Sequence, residues 1–248
     1  MRCSWHGGGA MLDQRILFID AEAIILDKPA GLAVTRPKQG GLSLENYLAS
    51  LTFGFQRWPE PVHRLARDTP GCLLLARNPK ALKRFAQAFE QRQVGKDYIA
   101  VLEGVPDGTE GSIDSPLFKI STKEEGWRMV VDARGKAART DWEVLAVKEG
   151  RALVRFRPET GRTHQIRAHA LYGLGLPIVG DRVYGGSSTG TTPMLLHSSF
   201  LSVMRAGKAP VAARAPLPDR FIAAGFADPD RPDTYVDPRA HQRPVADG

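Results

Sequence analysis

Cysteine, long apolar runs and negative charge are all in short supply in this chain of 248 residues. Its two cysteines, Cys3 and Cys72, allow neither a disulfide framework nor a cysteine-rich zinc site. Cys72 lies in an apolar run, where a small, soft side chain packs well. No stretch approaches the roughly 18 apolar residues of a membrane-spanning helix, and the start MRCSWHGGGAMLDQ lacks the apolar centre of a signal peptide. A cytoplasmic protein without a membrane partner is expected. No internal repeat occurs, and no linker is long enough to force a second domain.

Positive charge is what the chain has in excess. Thirty-four Lys and Arg face 27 Asp and Glu, a net charge of +7, which attracts polyanions before any specific contact forms. The excess is uneven. Residues 61–100 hold eight basic against three acidic side chains, whereas the segment from Phe226 onward holds three Arg, five Asp and four prolines. That segment, 226–248, reads as an extended or disordered tail. Residues 1–12, Gly-rich and followed by patterned sequence, read as a disordered or non-native start, which leaves 13–225 as one folded domain.

Between these limits, RILFID and AIILDKPAGLAV read as short strands, the second stopped by Pro29 and Gly31. Ser43 is placed to cap a short helix over LENYLASL. CLLLAR reads as a buried strand, and Asn78-Pro79 as the cap and first turn of an amphipathic helix with Leu82, Phe85, Ala86 and Phe89 on its apolar stripe. From Tyr98 the period changes to two, through YIAVLEG, RMVVDA, ARTDWEVLAV and RALVRFRPE, which predicts a mainly antiparallel middle. TGRTHQIRAHALYGL returns to helical spacing, and MLLHSSFLSV reads as a core strand or the start of a helix.

His164 and His169 invite a metal reading, but five residues turn a helix by about 500°, which separates the rings too widely to share an ion. No metal is expected at this pair. Gly161 and Arg162 read as a turn able to meet a single phosphate. The stretch PVHRLARDTPGCLLLAR, residues 61–77, crowds His63, Arg64, Arg67 and Asp68 at the mouth of an apolar strand. Such a turn can hold an arginine outward toward RNA on a rigid support. A hydrolase built on His63 or His164 lacks a nucleophile elbow and a carboxylate to orient either ring.

PVHRLARDTPGCLLLAR resembles the signature of the RluA family of RNA pseudouridine synthases, His-Arg-Leu-Asp followed by Thr, a small residue, Gly and an apolar strand. IILDKPAGLAV, KDYIAVLEG and RPETGRTHQIRAHALYGLGLPIVGDRVYGG are similar to three further blocks of that family in the same order, and the likeness spans about residues 13–225. The resemblance implies an α+β fold: a mixed, mainly antiparallel sheet with flanking helices and a central cleft. It also implies isomerisation of a specific uridine to pseudouridine without metal or cofactor.

Ala66 stands where the family carries the aspartate that starts the reaction, and a methyl group can neither attack nor exchange a proton. By the same resemblance, Tyr98 stacks on the target uracil and serves in proton transfer, Ile166 walls the base, and Arg167 pairs with the carboxylate. Without that carboxylate Arg167 is expected to turn to phosphate, solvent or an anion. His63, Arg64 and Arg162 are expected to face RNA, with Arg64 entering the base stack, and Asp68 is expected to be structural. Lys80, Lys83, Arg84, Arg155, Arg157 and Arg162 are candidates for a backbone-binding track. The N-terminal RNA-binding module that often accompanies this family has no counterpart before RILFID, so a compact stem-loop in ribosomal or transfer RNA, bound by a monomer, is the expected partner. Two readings follow: a pseudouridine synthase inactive as given, or a natural non-catalytic RNA-binding relative.

Overall fold

The computed structural model describes residues 12–37, 40–122, 126–185 and 192–230. Twelve strands account for most of the architecture. Strands β1 (Ile16–Ile19), β2 (Ala23–Lys28), β3 (Glu60–Pro61) and β4 (Gly71–Ala76) form one part of a large sheet. Strands β5 (Val94–Leu102), β6 (Glu110–Asp114), β9 (Arg139–Lys148), β10 (Arg151–Pro158), β11 (Leu196–Arg205) and β12 (Lys208–Arg214) form the rest. The sheet runs β1-β2-β4-β11-β5-β10-β9-β6, with β12 added to β11 and β3 to β4. Strands β7 (Leu117–Thr122) and β8 (Gly126–Val131) pair as a separate hairpin. All pairings are antiparallel except β4 with β11, which run parallel and meet at Gly71 and Ser198. The sheet is therefore mixed and mainly antiparallel.

Helix α1 (Pro79–Glu90) begins as the sequence indicates: the Asn78 side chain accepts from the Ala81 N–H at 2.9 Å, with Pro79 in the first turn. Its stripe differs in one member. Ala81 and Phe85 are buried, while Ala86 is exposed. The helix ends at Glu90 because Arg92 turns left-handed (φ 58°) and Val94 already belongs to β5, four residues before the change of period at Tyr98. Over LENYLASL the chain forms a 3-10 helix, Leu44–Leu51, whose start is held by the Asn46 side chain accepting from the Ser43 N–H at 2.9 Å. Helix α2 (Gln165–Leu174) follows His164, itself left-handed (φ 51°), and MLLHSSFLSV resolves to strand β11. Helix α3 (Asp219–Ala223) closes the fold.

Both expected boundaries differ from the packing. Leu12, assigned to the non-native start, is fully buried in the cluster of Ile24, Leu26, Leu44, Leu48, Leu65 and Leu73. Phe226, assigned to the tail, is buried beside Phe221, Leu153 and Val179. Asp228 accepts from the Leu217 N–H at 3.1 Å, and Asp230 accepts from Arg155 and Arg214 at 2.5 and 2.6 Å. The remainder of the expected tail, and residues 1–11, lie outside the described residues. Among the described residues no helix is long and apolar enough to cross a membrane.

Candidate active site

A cleft of about 830 Å³ opens where the turn before β4, strand β5 and the start of α2 converge, with Trp127 of the β8 hairpin at its edge. This is ample space for a nucleotide, since small-molecule sites span roughly 300–1,000 Å³. Its walls include His63, Arg64, Leu65, Ala66, Lys96, Tyr98, Arg162, Ile166 and Arg167. His63, Arg64, Ala66, Tyr98, Arg162, Ile166 and Arg167 thus line one cavity, although they lie up to about a hundred positions apart. Six of the lining residues are cationic, namely Arg36, Arg64, Arg67, Lys96, Arg162 and Arg167, and among the described residues no carboxylate lines the cleft.

The turn bearing Ala66 is held from behind. Lys28, fully buried, donates to the carbonyls of Pro29, Leu32 and Arg67 at 2.9, 2.9 and 3.1 Å. Gly31 N–H donates to the same Arg67 carbonyl at 2.9 Å, and Arg67 Nε returns a bond to the Gly31 carbonyl at 3.0 Å. Burial lowers the Lys28 ammonium to about 7. The Lys-Pro-Ala-Gly motif is therefore a clamp that fixes the turn at position 66, a role its sequence did not disclose. Thr69 N–H donates to the Ala66 carbonyl at 3.1 Å and closes the turn. Gly71 ends it at φ 111°, where a Cβ would lie 2.0 Å from the Ser198 carbonyl oxygen. Only glycine permits β4 and β11 to cross so closely.

His63 has a structural task as well as a place in the cleft. Its Nε2 accepts from the Leu74 N–H at 3.0 Å, and its ring stacks on Phe89 at 4.7 Å. Burial, aided by the Lys96 charge, pushes its pKa down to about 3, so it stays neutral. Arg64 is exposed, and no ion pair holds it among the described residues. Asp68 is exposed and does not line the cleft; it offers its carbonyl to Arg220 at 3.4 Å. Its carboxylate is thus not among the groups that line the cleft beside Ala66.

Tyr98 enters the cleft from β5, paired in register with Phe156 of β10 and Ser198 of β11. Burial raises its hydroxyl to about 12, against the opposing hydrogen bond from Ser198, so the phenol keeps its proton across the neutral range. Lys96, two residues earlier and on the same face, is brought down to about 8 by burial. Ile166 lines the cleft and packs with Val154 and Phe156.

Arg167 corrects an expectation. Rather than being left without a partner, it binds Asp181 through Nε and Nη2 at 2.6 Å each, and Nη1 donates to His164 Nε2 at 3.0 Å. Asp181, 1% exposed, also accepts from the Val183 and Tyr184 N–H groups at 3.0 and 3.2 Å. Because an arginine can only donate, His164 Nε2 must be bare and its proton must sit on Nδ1, facing the Tyr184 hydroxyl at 3.2 Å. Burial and the Arg167 charge lower His164 to about 4. Trp127 stacks on its ring at 4.7 Å.

Gln165 ties the Gly161-Arg162 turn to the sheet. Its Oε1 accepts from Thr160 Oγ1 and the Arg162 N–H at 2.7 and 2.9 Å, and its Nε2 donates to the Arg139 carbonyl and Thr140 Oγ1 at 2.9 Å each. His169 lies apart from His164, bonding Thr140 Oγ1 and the Ser115 carbonyl at 2.8 and 3.0 Å.

The expected basic track does not hold together. Arg155 and Arg157 alternate with Phe156 and so point away from the face that carries Tyr98. There they are matched by Glu143, at 2.6 and 3.1 Å, and by Asp97. Arg84 is committed to Glu22 at 2.8 Å, and Arg162 Nε donates to the Ala137 carbonyl at 3.0 Å while still lining the cleft. Lys80 and Lys83 remain exposed on α1.

Comparison with known proteins agrees with this geometry. Residues 22–172 match the family described as RNA pseudouridylate synthase. An uncharacterized RNA pseudouridine synthase of Zymomonas mobilis is 60% identical over 217 residues, covering 87% of this chain and 99% of the relative. A ribosomal large subunit pseudouridine synthase C of Buchnera aphidicola is 34% identical over 194 residues, covering 75% of this chain but only 61% of the relative. The structure of human RNA pseudouridylate synthase domain containing 4 superposes with a TM-score of 0.73 at 26% identity, covering 86% of this chain and 92% of that one. The family match over most of the fold, together with relatives of this identity and coverage, shows that the chain belongs to the RNA pseudouridylate synthase family.

Proposed function

We propose that this chain binds a stem-loop of ribosomal or transfer RNA as a cytoplasmic monomer, draws one uridine into the cleft against Tyr98, and leaves it unconverted. The observation that carries this reading is the composition of the cleft: six cationic residues, a protonated tyrosine and, among the described residues, no carboxylate. Cations attract the phosphate backbone. Tyr98 and Ile166 provide an aromatic face and an apolar wall for a flipped base, the usual means of holding one outside its stack. Arg64, exposed at the rim and held by no ion pair among the described residues, can stack on bases or bond phosphate with its planar fork, which a lysine does poorly.

The step that begins base isomerisation needs a group able to attack or accept a proton, and Ala66 offers neither. The rest of the pocket is complete, with Lys28, Thr69 and Gly71 holding the turn at position 66 in place. That retained machinery supports a synthase silenced at one position over a relative that has drifted from catalysis. The unsubstituted protein is expected to bind a stem-loop transcript with a log–log salt slope of roughly −2 to −4, for several phosphate contacts, and to return the RNA with its uridines intact. Pseudouridine in the recovered transcript would overturn the proposal, and a flat salt slope would remove the phosphate contacts from it.

A further inference from the structure

We infer that the loop between the 3-10 helix Leu44–Leu51 and β3 is a second RNA contact, a stacking platform for unpaired bases flanking the stem-loop held in the cleft; the inference rests on the RNA-binding reading above. In six residues the loop exposes Phe53 (43%), Phe55 (38%) and Trp58 (59%). Single exposed apolar side chains are ordinary, but three on one short loop make a patch that calls for a partner.

The loop is also held rigidly. Arg77, buried to 7%, donates to the carbonyls of Asp20, Thr52 and Phe53 at 2.6, 2.9 and 3.0 Å. Its guanidinium lies 3.9 Å from the centroid of the Phe55 ring. Phe53 and Gly54 are both left-handed, at φ 45° and 85°, and Phe55 N–H donates to the Thr52 carbonyl at 3.1 Å, so the turn is set before any partner arrives. A connecting loop needs none of this. A groove of about 370 Å³, lined by Leu48, Gln56, Arg57, Trp58, Pro59 and Glu60, runs beside it.

Exposed aromatic rings are the chemistry by which proteins hold single-stranded nucleic acid, because every base has a face to stack, and the exposed Arg57 beside Trp58 offers a charge to a neighbouring phosphate. The platform is also well placed. Leu48 and Leu51 pack in the same apolar cluster as Leu65, with Tyr98 against it, so the 3-10 helix covers the sheet face that opens into the cleft. Trp58 precedes His63 by five residues, a span of at most about 18 Å. Nucleotides adjoining the captured uridine are therefore within reach.

The test uses two labelled transcripts, a stem-loop with unpaired tails on both strands and the same stem-loop trimmed of them. Trp58→Ala and Phe55→Ala are each expected to weaken binding of the tailed RNA by at least about five-fold, as loss of one base stack does, and of the trimmed RNA by less than about two-fold. Trp58→Phe should retain tailed-RNA affinity. Unchanged affinity in both alanine variants would overturn the inference, as would equal losses on the two RNAs. A self-association abolished by Trp58→Ala without loss of RNA binding would assign the patch to a second copy of the chain instead. Failure of the unsubstituted protein to bind either RNA would remove the cleft reading and this one with it.

Discussion

Tyr98 and Ala66 line the same cleft and carry opposite consequences. The tyrosine keeps its proton across the neutral range because burial raises its pKa to about 12, so in the free protein its hydroxyl is a hydrogen-bond donor. In an Ala66→Asp protein, Tyr98→Phe is expected to leave RNA affinity within about three-fold and to slow turnover by about 10²–10⁴, the usual contribution of a positioned proton-transfer group; single-turnover isomerisation measures it. Arg167 was legible as a site residue from Gln-Ile-Arg, but its partner was not. Asp181 lies fourteen positions on, in a run that reads as turn residues, and nothing in local spacing shows that the turn folds back beneath α2. Breaking such a buried pair from one side costs about 3–5 kcal/mol. Asp181→Asn should therefore lower the urea midpoint markedly, with the change in slope small.

At the scale of elements, the strands of the middle and the start of α1 were readable because alternation and the Asn78-Pro79 cap are local signals. What could not be read was which strands become neighbours. By sign alone Arg155 and Arg157 belong with the basic residues of the cleft, whereas the register of Phe156 with Tyr98 sends them to the other face, onto Asp97 and Glu143. Replacing both with alanine is expected to leave RNA affinity within about two-fold, while Arg64→Ala weakens it several-fold and makes the salt slope shallower by about one. Gly71 was visible only as a turn residue; its necessity comes from the approach of β4 to Ser198, a contact across 127 positions. Gly71→Ala puts a methyl group into that carbonyl in a left-handed conformation, and strain of the backbone alone costs about 1–3 kcal/mol. A loss of at least that size in chemical denaturation is expected.

For the molecule as a whole, the family resemblance foretold the mixed, mainly antiparallel sheet and its cleft, while the boundaries at 13 and 225 missed Leu12 and Phe226, single apolar residues whose burial depends on distant partners. The whole molecule also carries a pH signature. His63, His164 and His197 are held at about 3, 4 and 4, each chiefly by burial, below the ordinary value near 6.5. Between those values the unfolded chain binds more protons than the folded one, so stability is fully present above about pH 6.5 and is lost as pH falls toward 4. Glu22, lowered to about 2 chiefly by Arg84, extends the loss in the same direction at still lower pH. Calorimetry should show the melting temperature falling steadily from pH 7 to pH 4; a constant value would contradict the burial of these rings.

Under the proposed function, one missing carboxylate separates this cleft from a working synthase. The most direct measurement is tritium release from uridine labelled at carbon 5 in a transcript pool, made with the protein as it stands and with Ala66→Asp. Release by the Ala66→Asp protein alone is the expected result. Release by the unsubstituted protein, or none from Ala66→Asp while RNA remains bound, would contradict it.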